Sequence, residues 1–221
     1  MKRDRHGKAK ILTASEIQAL FSGGLKTLRD RVLFAIMLYS ACRVNEACSL
    51  RTEDVYTHSG IVRSHLTLRK RNTKGKLATR TIPVIEDLRH LLAAYEPEAG
   101  LTYLFPGRRG GHLHSDSGAR IFRKACDRVG IEGASTHSFR RTALTQMSDN
   151  NIPLRVIAEV SGHRDLGQLN AYLEVRDEQV LGAVSSLAML SPVEREGGEV
   201  GKMKFPDHQQ KGETISPPSP L

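Results

Sequence analysis

His137 and Arg140 stand three residues apart in Thr136-His-Ser-Phe-Arg-Arg-Thr-Ala-Leu-Thr145. A helix beginning near Ser138 projects both from its N-terminal end toward one place. Free backbone N–H groups, the positive end of the helix dipole and a guanidinium fork together make a phosphate site. His163 follows Gly162, and Tyr172 comes nine residues later in a segment with few bulky apolar neighbours. One anion site and one candidate nucleophile result. Fixed guanidinium and imidazole groups can hold the charge of a phosphate without a metal. A tyrosine, with an ordinary pKa of about 10, attacks at neutral pH only with a base or strong positive surroundings, and this set supplies both. The sequence holds no carboxylate cluster suited to Mg²⁺, and neither a metal nor an organic cofactor is expected.

A second constellation lies upstream in Ser40-Ala-Cys-Arg43-Val-Asn-Glu46. It follows Val32-Leu-Phe-Ala-Ile-Met-Leu-Tyr39, which is apolar on every side and so belongs in the centre of a domain. A guanidinium delivered to that interior edge needs an anion, because an isolated buried charge costs several kcal/mol. Glu46 is placed to hold Arg43 while the other donors face outward; a plain ion pair is the alternative. Further on, His65-Leu-Thr-Leu-Arg69 and Thr79-Arg-Thr-Ile-Pro-Val84 alternate with the period of strands, and Asn72-Thr-Lys-Gly-Lys76 reads as the turn between them. Lys74 and Lys76 then sit at a basic hairpin tip, either as solvated charges or reaching onto a bound backbone.

Helical segments must carry the rest. A capping box at Thr13-Ala-Ser-Glu16 opens a helix that Gly23-Gly24 ends, and a longer helix runs from about Thr27 to Ser40. Glu86 to Tyr95 is amphipathic, Ser117 to Arg128 precedes the His137 stretch, and Ile152 to Val160 carries Pro153 in its first turn. Gly162 ends that helix and aims His163. A last helix spans Asp177 to Leu190. Leu104 to His114 reads as a flexible loop, since Gly107-Arg-Arg-Gly-Gly111 lacks the ending of a P-loop. The fold class expected is α+β, mainly α-helical with a small antiparallel sheet. Residues 1–10 form a basic arm, 11–190 one domain, and 191–221 a tail without order.

With 221 residues, 39% of them hydrophobic, the chain is long enough for a substantial core. Its formal net charge is +9, of which the first ten residues hold +4 and residues 191–221 hold −1, leaving +6 on the body. That excess suits a polyanion such as nucleic acid. Cys42, Cys48 and Cys126 form no CxxC pair, and the reading is reduced, buried thiols. His112 and His114 with Cys126 fit no common metal spacing. The longest apolar run is too short to span a bilayer, so a cytoplasmic, nucleoid-associated protein is expected.

Taken in order, Ala41-Cys-Arg43-Val-Asn-Glu46, a hairpin lysine, a Leu-Phe-Pro-Gly loop, His137-Ser-Phe-Arg140, and Gly162-His163 with Tyr172 nine residues on resemble the catalytic domain of the tyrosine recombinases, the phage integrase family. The resemblance covers roughly residues 11–190. It implies that Arg43 and Arg140 grip the non-bridging oxygens of a scissile phosphate, with Glu46 supporting Arg43. His137 assists proton transfer at the nucleophile, His163 contacts the phosphate, and Tyr172 is the nucleophile. Lys74, or Lys76 if the hairpin register differs, protonates the leaving 5′-oxygen. The implied activity is site-specific recombination or integration of double-stranded DNA through a covalent 3′-phosphotyrosine, which keeps the ester energy for resealing. A synaptic tetramer on DNA is the implied assembly. Two other readings remain: a DNA-binding remnant that does not cut, and a relaxing enzyme resembling type IB topoisomerases. Family members typically carry a helical core-binding domain before the catalytic one. Here only a basic arm of ten residues stands before the matching region, which fits a minimal integrase, a truncated product or a fragment.

Overall fold

The computed structural model describes residues 9–69, 79–170 and 177–187. In chain order the elements are α1 (Ala14–Ala19), α2 (Leu28–Ser40), α3 (Val44–Cys48), β1 (His65–Leu68), β2 (Arg80–Pro83), α4 (Glu86–Tyr95), α5 (Ser115–Arg128), α6 (Thr136–Asp149), α7 (Leu154–Ser161), α8 (Leu166–Asn170) and α9 (Asp177–Ser185). The chain separates into two units, Met1–Val180 and Leu181–Leu221. Of the second, residues 181–187 are described, and they carry the later turns of α9.

Within the first unit, α2 is the axis. Val32 through Met37 are completely buried, as the apolar run requires. Thr27 caps the helix by accepting from the Asp30 N–H at 3.1 Å. α4 and α6 pack on it, and α5 packs on α3. Phe34 of α2, Phe122 of α5 and Phe139 of α6 form a three-way aromatic contact, with centroid separations of 5.4, 5.3 and 5.1 Å. Phe139 directly precedes Arg140, so this cluster fixes the turn of α6 that bears the guanidinium. Gly118 lets α5 close on α3, since a Cβ there would lie 2.9 Å from Val44 Cγ2.

The two strands pair antiparallel in the register His65 to Pro83, Leu66 to Ile82, Thr67 to Thr81 and Leu68 to Arg80. Leu66, Leu68 and Ile82 face the core. Arg80 occupies the same face, one step beyond Ile82. The residues between the strands, with Lys74 and Lys76, lie outside the described set. A smaller cluster of Ala41, Ala143, Leu144, Ile157 and Leu169 joins the end of α2 to α6, α7 and α8.

The α+β expectation holds, and the Thr13–Glu16 capping box forms as read, with Glu16 N–H to Thr13 Oγ1 at 3.2 Å and Thr13 N–H to Glu16 Oε2 at 3.0 Å. Several helix ends differ. α5 starts at Ser115, because the His114 imidazole accepts from Asp116 N–H at 3.3 Å and adds a start signal that a Ser-rich reading passes over. α6 starts at Thr136, where Ser135 N–H donates to Ser138 Oγ at 3.0 Å, so His137 lies inside the helix. Pro153 stands just outside α7 as its cap, with φ −55° and ψ 137°. α8 was not anticipated: five residues carry too little periodicity to show.

Replacing Phe34 by Ala removes the residue common to two of the three ring contacts. It should lower unfolding free energy by about 3–5 kcal/mol. Urea unfolding of the purified chain checks this.

Candidate active site

α2 ends because Ala41 turns into the left-handed region at φ 48°, ψ 24°. That conformation costs a non-glycine residue about 1–2 kcal/mol. It has two structural consequences. The chain reverses so that Arg43 caps α3, and the Ala41 carbonyl is presented to α6, where Arg140 Nη1 donates to it.

Arg43 and Glu46 pair as their spacing suggests. The Arg43 N–H donates to Glu46 Oε2 at 2.9 Å and its Nη1 to Oε1 at 3.3 Å. The Glu46 side chain is 1% exposed while that of Arg43 is 25% exposed, so the carboxylate anchors a guanidinium whose other face meets solvent. A second arginine shares the anchor: Arg80 Nη2 lies 3.0 Å from Glu46 Oε2. Sequence reading missed Arg80. Its only signal was register, since alternation in Thr79-Arg-Thr-Ile-Pro-Val84 puts it on the face of Ile82 and Val84.

Arg140 is 1% exposed, the largest fully buried side chain among the described residues. Its Nη2 lies 3.1 Å from His163 Nε2. Gly162 caps α7 at φ 71°, which a glycine adopts without strain, and so turns His163 toward α6. Ser161 fixes the ring. Its hydroxyl donates to Ile157 O at 2.7 Å, so the 2.7 Å contact with His163 Nδ1 has the ring N–H as donor. The tautomer assigned from this bond has the proton on Nδ1, and Arg140 Nη2, 3.4 Å from Nδ1 and 3.1 Å from Nε2, then donates to Nε2. Burial, then the charges of Arg140, Arg43 and Arg80, pull the His163 pKa down to about 4, with Glu46 opposing. At neutral pH the ring is neutral, as its role of acceptor requires.

The charges of three guanidinium groups, Arg140, Arg43 and Arg80, thus act on His163, and that of Glu46 opposes them. His137 lies on the first turn of α6 with its side chain exposed. Arg43, Glu46, Arg140 and His163 are brought together; Lys74 and Tyr172 lie outside the described residues.

Tyr39, Tyr56, Tyr95 and the thiols are poorly placed for nucleophilic work. Tyr56 and Tyr95 are buried and donate to the carbonyls of Leu92 and Leu104, and burial raises both pKa values, that of Tyr95 to about 12. Tyr39 lies beside Asp87, and burial together with that carboxylate raises its pKa as well. Burial pushes Cys42 and Cys48 up to about 12 and Cys126 to about 11. Among the described residues no group of three His, Cys, Asp or Glu side chains is arranged to hold a metal ion. None of their helices is long and apolar enough to cross a membrane.

The chain matches the phage integrase family over residues 10–179. A tyrosine recombinase of Pseudothermotoga lettingae is 29% identical over 181 residues, which make up 80% of this chain and 60% of that protein. The tyrosine recombinase XerD of Mycobacterium tuberculosis is 29% identical over 177 residues, 74% of this chain and 56% of that one. The chain therefore spans less than two thirds of the length of these curated relatives. Among solved structures, XerA recombinase superposes with a TM-score of 0.66 at 19% identity, covering 86% of this chain and 68% of its own. XerH site-specific recombinase bound to difH substrate gives 0.64 at 18% identity, covering 85% and 57%. These superpositions establish the fold.

The His163 environment has a consequence for stability. Between pH about 6.5 and about 4 the unfolded chain binds a proton at His163 that the folded chain does not, so this group lowers stability as pH falls through that window. In His163→Gln the thermal midpoint should fall less steeply across the same range. Calorimetry of both proteins from pH 7 to 4 measures the difference.

Proposed function

From the membership of this chain in the phage integrase family, we propose that it cleaves and rejoins double-stranded DNA through a tyrosine ester. The observation that carries the reading is the convergence of Arg43, Arg140 and His163 at the Glu46 anchor. Two guanidinium groups from different elements, prearranged without substrate, suit a phosphate that gains charge between its non-bridging oxygens. In the free protein Arg140 Nη2 rests on the neutral His163 ring, and an incoming phosphate oxygen is a stronger, anionic acceptor for the same donor.

In the proposed reaction the Tyr172 oxygen bonds to phosphorus and the bond to the 5′-oxygen breaks. His137 takes the phenolic proton, and Lys74 supplies one to the departing oxygen, with Lys76 as the alternative in the hairpin. A 5′-hydroxyl of another strand reverses the steps and reseals the backbone. Exchange between two duplexes involves four strands, each cut by its own tyrosine, so the assembly proposed is a tetramer on DNA. The basic body supplies affinity for the phosphate backbone. Of the relatives, XerH has been seen bound to its difH substrate, and a lambda integrase dimer bound to a core site.

Covalent trapping on a nicked duplex tests the reading. Tyr172→Phe should keep DNA affinity and lose the 3′-linked adduct; an adduct in that variant contradicts the assignment. Arg43→Ala and Arg140→Ala should each slow adduct formation by about 10²-fold or more, the scale for losing a preorganised transition-state donor. Lysine should restore neither, because a point charge lacks the planar fork. Thermal stability of Arg43→Ala is measured alongside, since Glu46 is left with one fewer partner.

Lys74 has a sharper test. As general acid it becomes dispensable when the bridging 5′-oxygen is replaced by sulfur, a better leaving group. Lys74→Ala should therefore cut an ordinary ester poorly and recover on the sulfur substrate, whereas Arg140→Ala recovers much less. Rescue of Lys76→Ala instead moves the acid by two residues.

A further inference from the structure

Arg80 is the charged group that the family resemblance did not name. It stands on the apolar face of β2, opposite Leu68 and one step from Ile82, and its side chain is only 9% exposed. A guanidinium in that position is costly unless its donors are used. Two are. Nη2 donates to Glu46 Oε2 at 3.0 Å and Nε to the Val160 carbonyl at 3.1 Å. The third nitrogen, Nη1, is buried and has no hydrogen-bond partner among the described residues. It is sealed under Gly162, where an added Cβ would come within 2.8 Å of Nη1 and 3.2 Å of Cζ.

Those contacts tie two parts of the site that are remote in sequence. Glu46 belongs to the anchor of Arg43, on the helix after α2. Val160 and Gly162 belong to the turn that delivers His163. Arg80 donates to both. Since the free edge of Arg80 is closed by the Gly162 backbone, the residue does not reach a bound phosphate directly. Its effect passes through its neighbours.

We propose that Arg80 is a positioning residue of the phosphate site: by bridging the Glu46 carboxylate and the Val160 carbonyl, it sets the spacing between the Arg43 and His163 side chains. The role rests on the DNA-cleavage reading above, and it accounts for two features together. An arginine is kept on an apolar strand face where a hydrophobic residue of similar volume would pack without a desolvation cost. Gly162 is needed for its left-handed turn and also for the space beneath it. Lysine is not equivalent, because one ammonium cannot aim donors from a rigid plane at two acceptors on opposite sides.

The test compares the full chain with Arg80→Lys and Arg80→Met. The probe is a library of nicked duplexes with randomised arms. Three quantities are read: DNA affinity, the rate of covalent adduct formation at saturating DNA, and the titration of the His163 ring by NMR. Both variants should bind DNA within about 2-fold of the unmodified chain, and both should form adduct roughly 10²-fold more slowly, the scale for a misplaced reacting group. Arg80→Met should also move the His163 titration upward from about 4, while Arg80→Lys, which keeps the charge, should leave it low. That split separates geometry from charge, which a general loss of stability would not do.

Adduct formation at the unmodified rate in both variants overturns the proposal, as does a loss confined to affinity. Should Arg80→Met fail to fold, the Arg80→Lys rate decides. If the unmodified chain forms no adduct with any member of the library, the cleavage reading fails rather than this one. Arg80 is then judged by NMR alone: unchanged ring resonances of His163 and guanidinium resonances of Arg43 in both variants would refute the bridge.

Discussion

Glu46 is the charge on which this site depends. It is 1% exposed and accepts from the backbone and side chain of Arg43 and from the side chain of Arg80. Without that carboxylate, two guanidinium groups would face each other in a partly desolvated space, with a third, Arg140, near the same histidine. Repulsion between like charges at short range is several times stronger there than in water. One anion among three cations leaves an excess of positive charge at the place where a phosphate would bring the balancing negative charge. The fold holds that excess in place before any ligand arrives, so in the proposed reaction little reorganisation would remain.

What holds it is the packing of ordinary apolar residues. α2 runs through the centre, and its left-handed end at Ala41 supplies a turn for Arg43 and a carbonyl for Arg140. The Phe34, Phe122 and Phe139 contact fixes the α6 turn that carries Arg140. The small cluster around Ile157 and Leu169 seats α7, and with it Ser161, Gly162 and His163. Charged groups make up the proposed phosphate site, and hydrophobic burial supplies the force that keeps them close.

Much of this could be read from the sequence where the signal is local. The Arg43–Glu46 pair shows in its spacing, the α2 core in its unbroken apolar run, and the hairpin in its period of two. Helix starts were less clear, because the His114 ring caps α5 and the Ser138 hydroxyl reaches back to the Ser135 N–H at the start of α6, geometry that adjacent residues do not announce. Ala41 carries no mark of a left-handed conformation; tertiary contacts impose it. Arg80 was hidden for a different reason. One of its partners, the Val160 carbonyl, is 80 positions away and is a backbone atom, so no pairing of residue types could have indicated it. The hairpin tip and the segment with Tyr172 lie outside the described residues, and their roles stand on the resemblance.

In the proposed site Arg43, Arg140 and His163 serve one phosphate. A crystal structure of the full chain on a duplex recovered from its own covalent complexes tests it most directly. Side-chain nitrogens of all three residues should lie within hydrogen-bonding distance of oxygens on the same scissile phosphate, with Arg80 buried behind them and not touching DNA. A complex in which the scissile phosphate sits away from Glu46, or in which only one of the three reaches it, would contradict the account.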